Sequence, residues 1–353
     1  MADAQSVEDI VPLGRLADWM DAQGLGTGPV RNPQLLAGGT QNILLRFQRA
    51  EKSGAREYVL RRPPRFLRKN SNDTMRREAR VLKALAGSDV PHPGLIAACE
   101  SEDVLGVAFY LMEPINGFNA TVGLPPLHAG APEIRRQMGF ALMDGIAALS
   151  RIDPFAAGLE GFGKLDNYLE RQASRWLSQL ESYKELPGWP GFKGLPAVAP
   201  IVQWLEANRP SSFQPGIIHG DYHLANVLYS PDSAVLAAIV DWELCTLGDP
   251  LLDLAWVLAG WPDETEIAAG ETSVKPWAGF PTADELVHHY SVRTGRDMLA
   301  LDWYKVLACF KLGAILEGSH ARAFSGKTPK DIGDRLHATT VRLFTRAHRL
   351  IGL

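Results

Sequence analysis

The sequence predicts an α+β fold of two unlike lobes, a small strand-rich lobe over residues 1–113 and a larger helical lobe over 114–353. Three observations predict it. Short β-favouring runs crowd into the first third of the chain. Long 3.6-residue periods dominate after Glu113. Two short apolar runs joined by Pro231-Asp232-Ser233 then interrupt the helical part as an embedded β-hairpin. A chain of 353 residues is long for a single core, which agrees with two lobes and a ligand cleft between them.

In chain order, residues 9–22 read as an amphipathic helix with Val11, Leu13, Leu16, Trp19 and Met20 apolar. Strand-like runs follow at 34–37, 43–48, 57–61, 95–99 and 107–112, broken by Gly38-Gly39 and by the turn-like 51–55. One helix interrupts them, from about 73 to 86. Its Met75, Glu78, Leu82 and Leu85 share a stripe at i, i+3, i+7 and i+10. An acid inside an apolar stripe must be paired, with Arg61 the natural partner, or else lie at the solvated edge of the stripe. Later helical periods fall at 133–150, 166–184, 197–208, 249–259, 283–294, 302–324 and 332–350, with strands at 227–229 and 236–240. The Pro/Gly-rich 185–196 reads as a surface loop. Residues 261–281, with Asp263, Glu264 and Glu266, read as a similar loop or as part of a substrate rim.

Composition excludes several classes. A net charge of −4 gives no basic excess for nucleic acid or an anionic membrane. The basic run at 61–69 reads either as a solvated loop or as an anion-binding segment. Cys99, Cys245 and Cys309 are odd in number and far apart, so neither a disulfide framework nor a zinc spacing is expected. No run approaches the roughly 18 apolar residues needed to span a bilayer, and the N-terminus lacks a secretory pattern, so a cytoplasmic location is expected.

The stretch 218–228, IHGDYHLANVL, carries the chemistry. Asp221 and Asn226 are five residues apart on a loop entering a strand, and Asp241 follows the second strand fifteen residues later. Two hairpin strands of similar length bring Asn226 and Asp241 to one end of a ribbon. An amide oxygen and a carboxylate there suit a hard cation such as Mg²⁺. Asp221, offset from that pair, is placed to accept a proton from a hydroxyl. These are the parts of a phosphoryl-transfer site.

The pattern H-G-D-x4-N, an apolar strand and an Asp resembles the core of the aminoglycoside phosphotransferase and choline kinase family, which shares the protein-kinase-like fold. The match runs along nearly the whole chain. The resemblance implies MgATP as phosphate donor, Asp221 as base, and Asn226 and Asp241 as Mg²⁺ ligands. Gly38-Gly39-Thr40-Gln41-Asn42 looks like the family's nucleotide-covering loop, which puts Gly38, Gly39, Thr40 and Asn42 near the phosphates, although a glycine pair also makes an ordinary hairpin. In the strand YVLR the resemblance lays Val59 against adenine and gives Arg61 the α- and β-phosphates, where many relatives carry Lys; Arg62 is the competing candidate. It pairs Arg61 with Glu78, and makes Met112–Ile115 the hinge, with backbone groups of Glu113 and Ile115 on the base. Pro114 has no N–H to offer.

The motif's other polar residues carry less. His219 is expected to fix backbone, and His223 to do likewise or approach the metal. Glu243 is expected to orient a metal-bound water or to cap a helix. Asp249, before Pro250, reads as a helix cap, and Asp253 as a group bonding back to the loop. The acceptor is read as a small-molecule alcohol. YVLRRPP and REARVLKAL look closer to the kinase-like domains fused to acyl-CoA dehydrogenases, which points to a hydroxyacyl thioester; an aminoglycoside-like polycation is the other class. Two alternatives come from outside: a non-catalytic ATP-binding module, and a hydrolase holding a metal through His219, Asp221 and His223. A protein kinase is less consistent, because no A-P-E segment follows Asp241.

Overall fold

Pro12 splits the expected first helix into Val7–Ile10 and Leu13–Ala22, since proline neither donates to the helical ladder nor fits against the preceding turn. The structure, a computed structural model, describes residues 7–36, 42–52, 54–68, 70–262 and 274–353. The chain divides into two compact units. The first holds Met1–Gly117, Ala157–Leu159 and Ala237–Cys245, and the second holds Phe118–Ala156, Glu160–Leu236 and Thr246–Leu353.

The first unit is built on a five-stranded antiparallel sheet. Its strands are β1 (Thr27–Leu35), β2 (Ile43–Glu51), β3 (Gly54–Arg62), β4 (Leu95–Cys99) and β5 (Phe109–Met112), in the order β1-β2-β3-β5-β4. Strand β1 is much longer than the expected 34–37. Pro29 and Pro33 disguise it in the sequence, yet an edge strand tolerates proline, and register shifts in its pairing with β2 fall between Thr27 and Arg31 and between Arg31 and Gln34. Alternation in β3 sends Tyr58 and Leu60 into a core with Leu45, Phe47, Phe109, Leu111, Leu16 and Met20. Each fully buried side chain of this kind stabilises the unit by about 2 kcal/mol. The opposite face of β3 carries Val59 and Arg61, both buried, with Val59 paired to Met112 and Arg61 to Tyr110.

Helix Ser71–Leu85 buries Met75, Glu78, Ala79, Val81, Leu82 and Leu85, the stripe read from the sequence with Glu78 inside it. The chain returns to this unit at Ala237, within strand Leu236–Ile239, where the Ile239 N–H donates to the Pro91 carbonyl at 2.8 Å.

The second unit is helical. Its long helices are Pro132–Ser150, Glu170–Ser182, Leu301–Phe324 and Lys330–Leu350, and Ala283–Thr294 opens on a Thr282/Glu285 capping box. Short strands Gly216–Ile218 and Thr246–Gly248 pair antiparallel on either side of the Asp221 loop. Three-residue strands fall below the length at which alternation shows in sequence, so neither was expected. Helix Leu251–Gly260 starts later than the expected 249, although Asp249 Oδ1 does accept the Leu251 N–H at 3.0 Å. The turn after Val227–Tyr229 closes through Ser230 N–H to Val235 O at 2.9 Å. All three cysteines are buried and outside any disulfide, and no helix among the described residues is long and apolar enough to cross a membrane.

Candidate functional site

In the second unit, strand Gly216–Ile218 delivers the chain to a loop held from below. Asp253, in the first turn of Leu251–Gly260, accepts the N–H groups of His219 at 2.6 Å and Gly220 at 2.9 Å. Gly220 sits at φ +86°, which a Cβ would strain. Fully buried His219 uses Nδ1 to accept the Asp221 N–H at 3.3 Å. Tyr222 donates its hydroxyl to the Leu142 carbonyl at 2.7 Å, tying the loop to Pro132–Ser150. The backbone is thus fixed on both sides of Asp221.

The Asp221 carboxylate is gripped by dipoles. Oδ1 accepts Trp256 Nε1–H at 3.0 Å, and Oδ2 accepts Asn226 Nδ2–H at 3.0 Å. The same Asn226 nitrogen donates to the Asp221 carbonyl at 2.9 Å, so the amide oxygen points away from the loop. His223 accepts Ala225 N–H at Nδ1, and its Nε2 lies 3.3 Å from Asp221 Oδ1. Burial opposes the charge on Asp221. The His223 hydrogen bond and charge, with His219 and Trp256, outweigh it and bring the carboxyl down to about 2. About a third of the side chain stays exposed, and Oδ2 keeps a lone pair for a ligand.

Two groups here escaped the sequence reading. Trp256 follows Asp253 at i+3 and so faces the same loop. Buried Lys311, on Leu301–Phe324, donates to the Gly220 carbonyl at 3.3 Å with its ammonium 4.3 Å from the Trp256 ring centroid. Burial brings its amine down to about 8 against the pull of Asp253 and Asp221. Its signal was present: one lysine in the apolar run VLACFKLGAIL must have a partner.

In the first unit, Arg61 joins two acids. Its Nη2 donates to Asp241 Oδ1 at 2.7 Å and to Glu78 Oε1 at 3.3 Å. Arg61 Nε lies 2.8 Å from Glu78 Oε2 but too bent for a hydrogen bond, so that contact is charge pairing alone. Tyr110 donates its hydroxyl to Glu78 Oε2 at 2.8 Å. Burial drives the Glu78 carboxyl upward against Arg61 and Tyr110, and it also opposes the Arg61 charge, which the two carboxylates nevertheless raise well above its ordinary range.

Asp241 takes its place through a left-handed backbone at φ +66°. Around it, Trp242 Nε1–H donates to Ile239 O at 3.1 Å and Arg77 to Cys245 O at 3.2 Å. Arg62 points the other way, its guanidinium on the Ile10 carbonyl, so the chain itself separates the two arginines. The Glu113 N–H donates to the Gly94 carbonyl at 2.9 Å.

The structure therefore brings Arg61, Glu78 and Asp241 together in one unit, and Asp221 with Asn226 in the other. Val59 and Met112 are cross-strand partners, Ile115 follows in the same segment, and half-buried Asn42 precedes β2. Gly38, Gly39, Thr40, Asp263, Glu264 and Glu266 lie outside the described residues.

Residues 37–286 match the model of the phosphotransferase enzyme family. The chain belongs to this family. It is 30% identical to acyl-CoA dehydrogenase family member 10 of Mus musculus over 77% of its own length, but spans only 25% of that protein. A candidate aminoglycoside phosphotransferase from Ralstonia eutropha aligns over 95% of this chain and 98% of its own, with a TM-score of 0.75 and 28% identity. Plasmodium vivax ethanolamine kinase aligns over 90% and 83%, with a TM-score of 0.56 and 14% identity, which shows the shared fold. The fold is thus the protein-kinase-like α+β fold of the small-molecule phosphotransferases.

Proposed function

We propose that this chain is a small-molecule kinase that moves the γ-phosphate of ATP to a substrate alcohol. The observation that carries the reading is the Asp221 carboxylate, ionised, partly exposed and fixed by Trp256 and Asn226 with a lone pair to spare. A carboxylate with so low a pKa is a weak base toward a free alcohol. Its work is to orient the hydroxyl for in-line attack and to take the proton late, as the O–P bond forms, which suits a loose phosphoryl-transfer transition state.

Arg61, held by Glu78, is the phosphate cation, and Val59 and Met112 line the adenine. The Glu113 carbonyl and the Ile115 N–H serve its polar edge, and the loop of Gly38, Gly39, Thr40 and Asn42 covers the phosphates. The donor chemistry fits magnesium: Asn226 turns its amide oxygen away from Asp221, and Asp241 keeps a half-exposed carboxylate beside Arg61. Asn226 and Asp241 are the residues that would hold Mg²⁺, which would supply charge neutralisation to the phosphates.

The relatives support two classes of acceptor. Likeness to an acyl-CoA dehydrogenase family member favours a hydroxyacyl thioester, and likeness to a candidate aminoglycoside phosphotransferase keeps a polycationic alcohol as the other class. The hydrolase alternative loses support, because His219 spends its Nδ1 on the Asp221 backbone instead of on a ligand.

The test is an ATP-consumption screen over alcohols of both classes, run with and without Mg²⁺. Phosphorylated alcohol formed only with Mg²⁺ supports the proposal. Zinc-dependent hydrolysis of the same compounds without ATP would replace it with the hydrolase.

A further inference from the structure

Far along the chain from the Asp221 loop, helices Leu301–Phe324 and Lys330–Leu350 pack closely where a glycine permits it. A Cβ on Gly333 would stand 2.6 Å from the Cβ of Ala323. This approach sets Glu317 and His320, at i and i+3 on one helix, against His337 on the other.

Glu317 is fully buried. Its Oε1 accepts Trp189 Nε1–H at 2.9 Å and lies 2.8 Å from His320 Nδ1, while its Oε2 lies 2.8 Å from His337 Nδ1. The two imidazole centroids are 4.2 Å apart. The ligand atoms of these three residues all fall within 4.8 Å of one another.

We propose that Glu317, His320 and His337 form a binding site for a transition-metal dication, with Zn²⁺ as the ion their chemistry selects. Two imidazoles and one carboxylate are a donor set zinc accepts, whereas magnesium asks for oxygen alone. A Glu-x-x-His pair on one helix facing a His on its neighbour is a way helical proteins assemble metal sites.

In the metal-free form each Nδ1–H donates to Glu317, and Trp189 completes the carboxylate's hydrogen bonds. Both rings thereby turn Nδ1 toward the same carboxylate, one to each oxygen. Zn²⁺ at Nδ1 would require each ring to carry its proton on Nε2, so the ion takes the place of the two Nδ1–H bonds to Glu317. His320 Nε2 already lies 3.9 Å from Asp334 Oδ1, a carboxylate placed to accept that N–H and orient the ring. Ligand atoms now 2.8 Å apart must open to about 3.3 Å for tetrahedral zinc with bonds near 2.0 Å. Rotation of His337, whose side chain is a quarter exposed, supplies that movement and leaves the fourth position to water. A bound ion would then tie together both helices and, through Trp189, the segment between Glu170–Ser182 and Val198–Ala207.

To test this, the full chain is stripped with chelator, equilibrated with excess Mg²⁺, and titrated with Zn²⁺. Bound metal is measured after desalting, and Co²⁺ serves as a spectroscopic probe. The proposal expects about one Zn²⁺ per chain, a raised melting midpoint, and the visible bands of tetrahedral Co²⁺. His320→Ala and His337→Ala should each lose the ion and the rise in midpoint, and Asp334→Asn should weaken binding about tenfold. His337→Gln, at a partly exposed position, replaces the alanine variants where these do not fold. Full zinc retention in these variants, or uptake by the wild type no greater than theirs, overturns it.

Discussion

The two candidate constellations of this chain hold a charged side chain in place with different physics. Around Arg61 the first unit uses full charges: one buried guanidinium against Glu78 and Asp241, with Tyr110 completing Glu78. Around Asp221 the second unit uses an indole N–H, an amide and the His223 imidazole, on a carboxylate about a third exposed. A buried ion pair is costly to break because the survivor is left charged in a poor solvent. A carboxylate held by dipoles and still partly wet loses less when one donor goes. The first arrangement should therefore fail as a fold, and the second as a catalyst.

The largest expected effect sharpens that contrast. Arg61→Ala strands Glu78 and should cost about 3–5 kcal/mol in denaturant unfolding. The double variant Arg61→Ala/Glu78→Gln should recover a large part of it. Equal losses in the single and double variants would break the comparison.

Next comes Trp256→Phe, which removes one hydrogen bond from Asp221 while keeping an aromatic ring. It should lower kcat about tenfold, leave KM for ATP unchanged, and shift the unfolding midpoint little. A melting loss as large as that of Arg61→Ala would place Trp256 in the fold and not in the chemistry.

Acid sensitivity follows in size. The Asp221 carboxyl lies lower in the folded chain than in the unfolded one, so its contribution to stability is present above the ordinary carboxylate range and is lost as pH falls toward 2. Asp221 should accordingly put no acid limb on kcat between neutral pH and about 4. In Trp256→Phe the limb should move upward.

Smallest is the alkaline effect of Lys311, whose amine lies lower folded than unfolded. The unfolded chain binds the extra proton between about 8 and the ordinary lysine range, so stability from this group rises with pH across that window. Lys311→Met should flatten the rise, which melts at stepped pH would show.

The two regions also differ in how legible they were. Period-two alternation put Val59 and Arg61 on one face, and the 3.6-residue stripe put Glu78 inside a core, so the Arg61–Glu78 pair could be read by matching two periodicities. The five-residue spacing of Asp221 and Asn226 was equally readable, because the contact is local. Trp256 and Lys311 were not, since their contacts cross 35 and 91 residues and depend on how helices pack. Tyr110 escaped for the same reason: it looks like any strand aromatic until β5 pairs with β3. Strand β1 was cut short because Pro29 and Pro33 speak against a strand locally, while its position at the sheet edge allows them.

The most direct measurement is single-turnover phosphate transfer by Asp221→Asn beside the wild type, with nucleotide affinity measured on the same samples. The asparagine keeps the shape and loses the charge, so transfer should fall on the order of a thousandfold while the MgATP dissociation constant stays within about twofold. Transfer at the wild-type rate, or a loss of nucleotide binding that matches the loss of rate, would contradict Asp221 as the group that handles the hydroxyl.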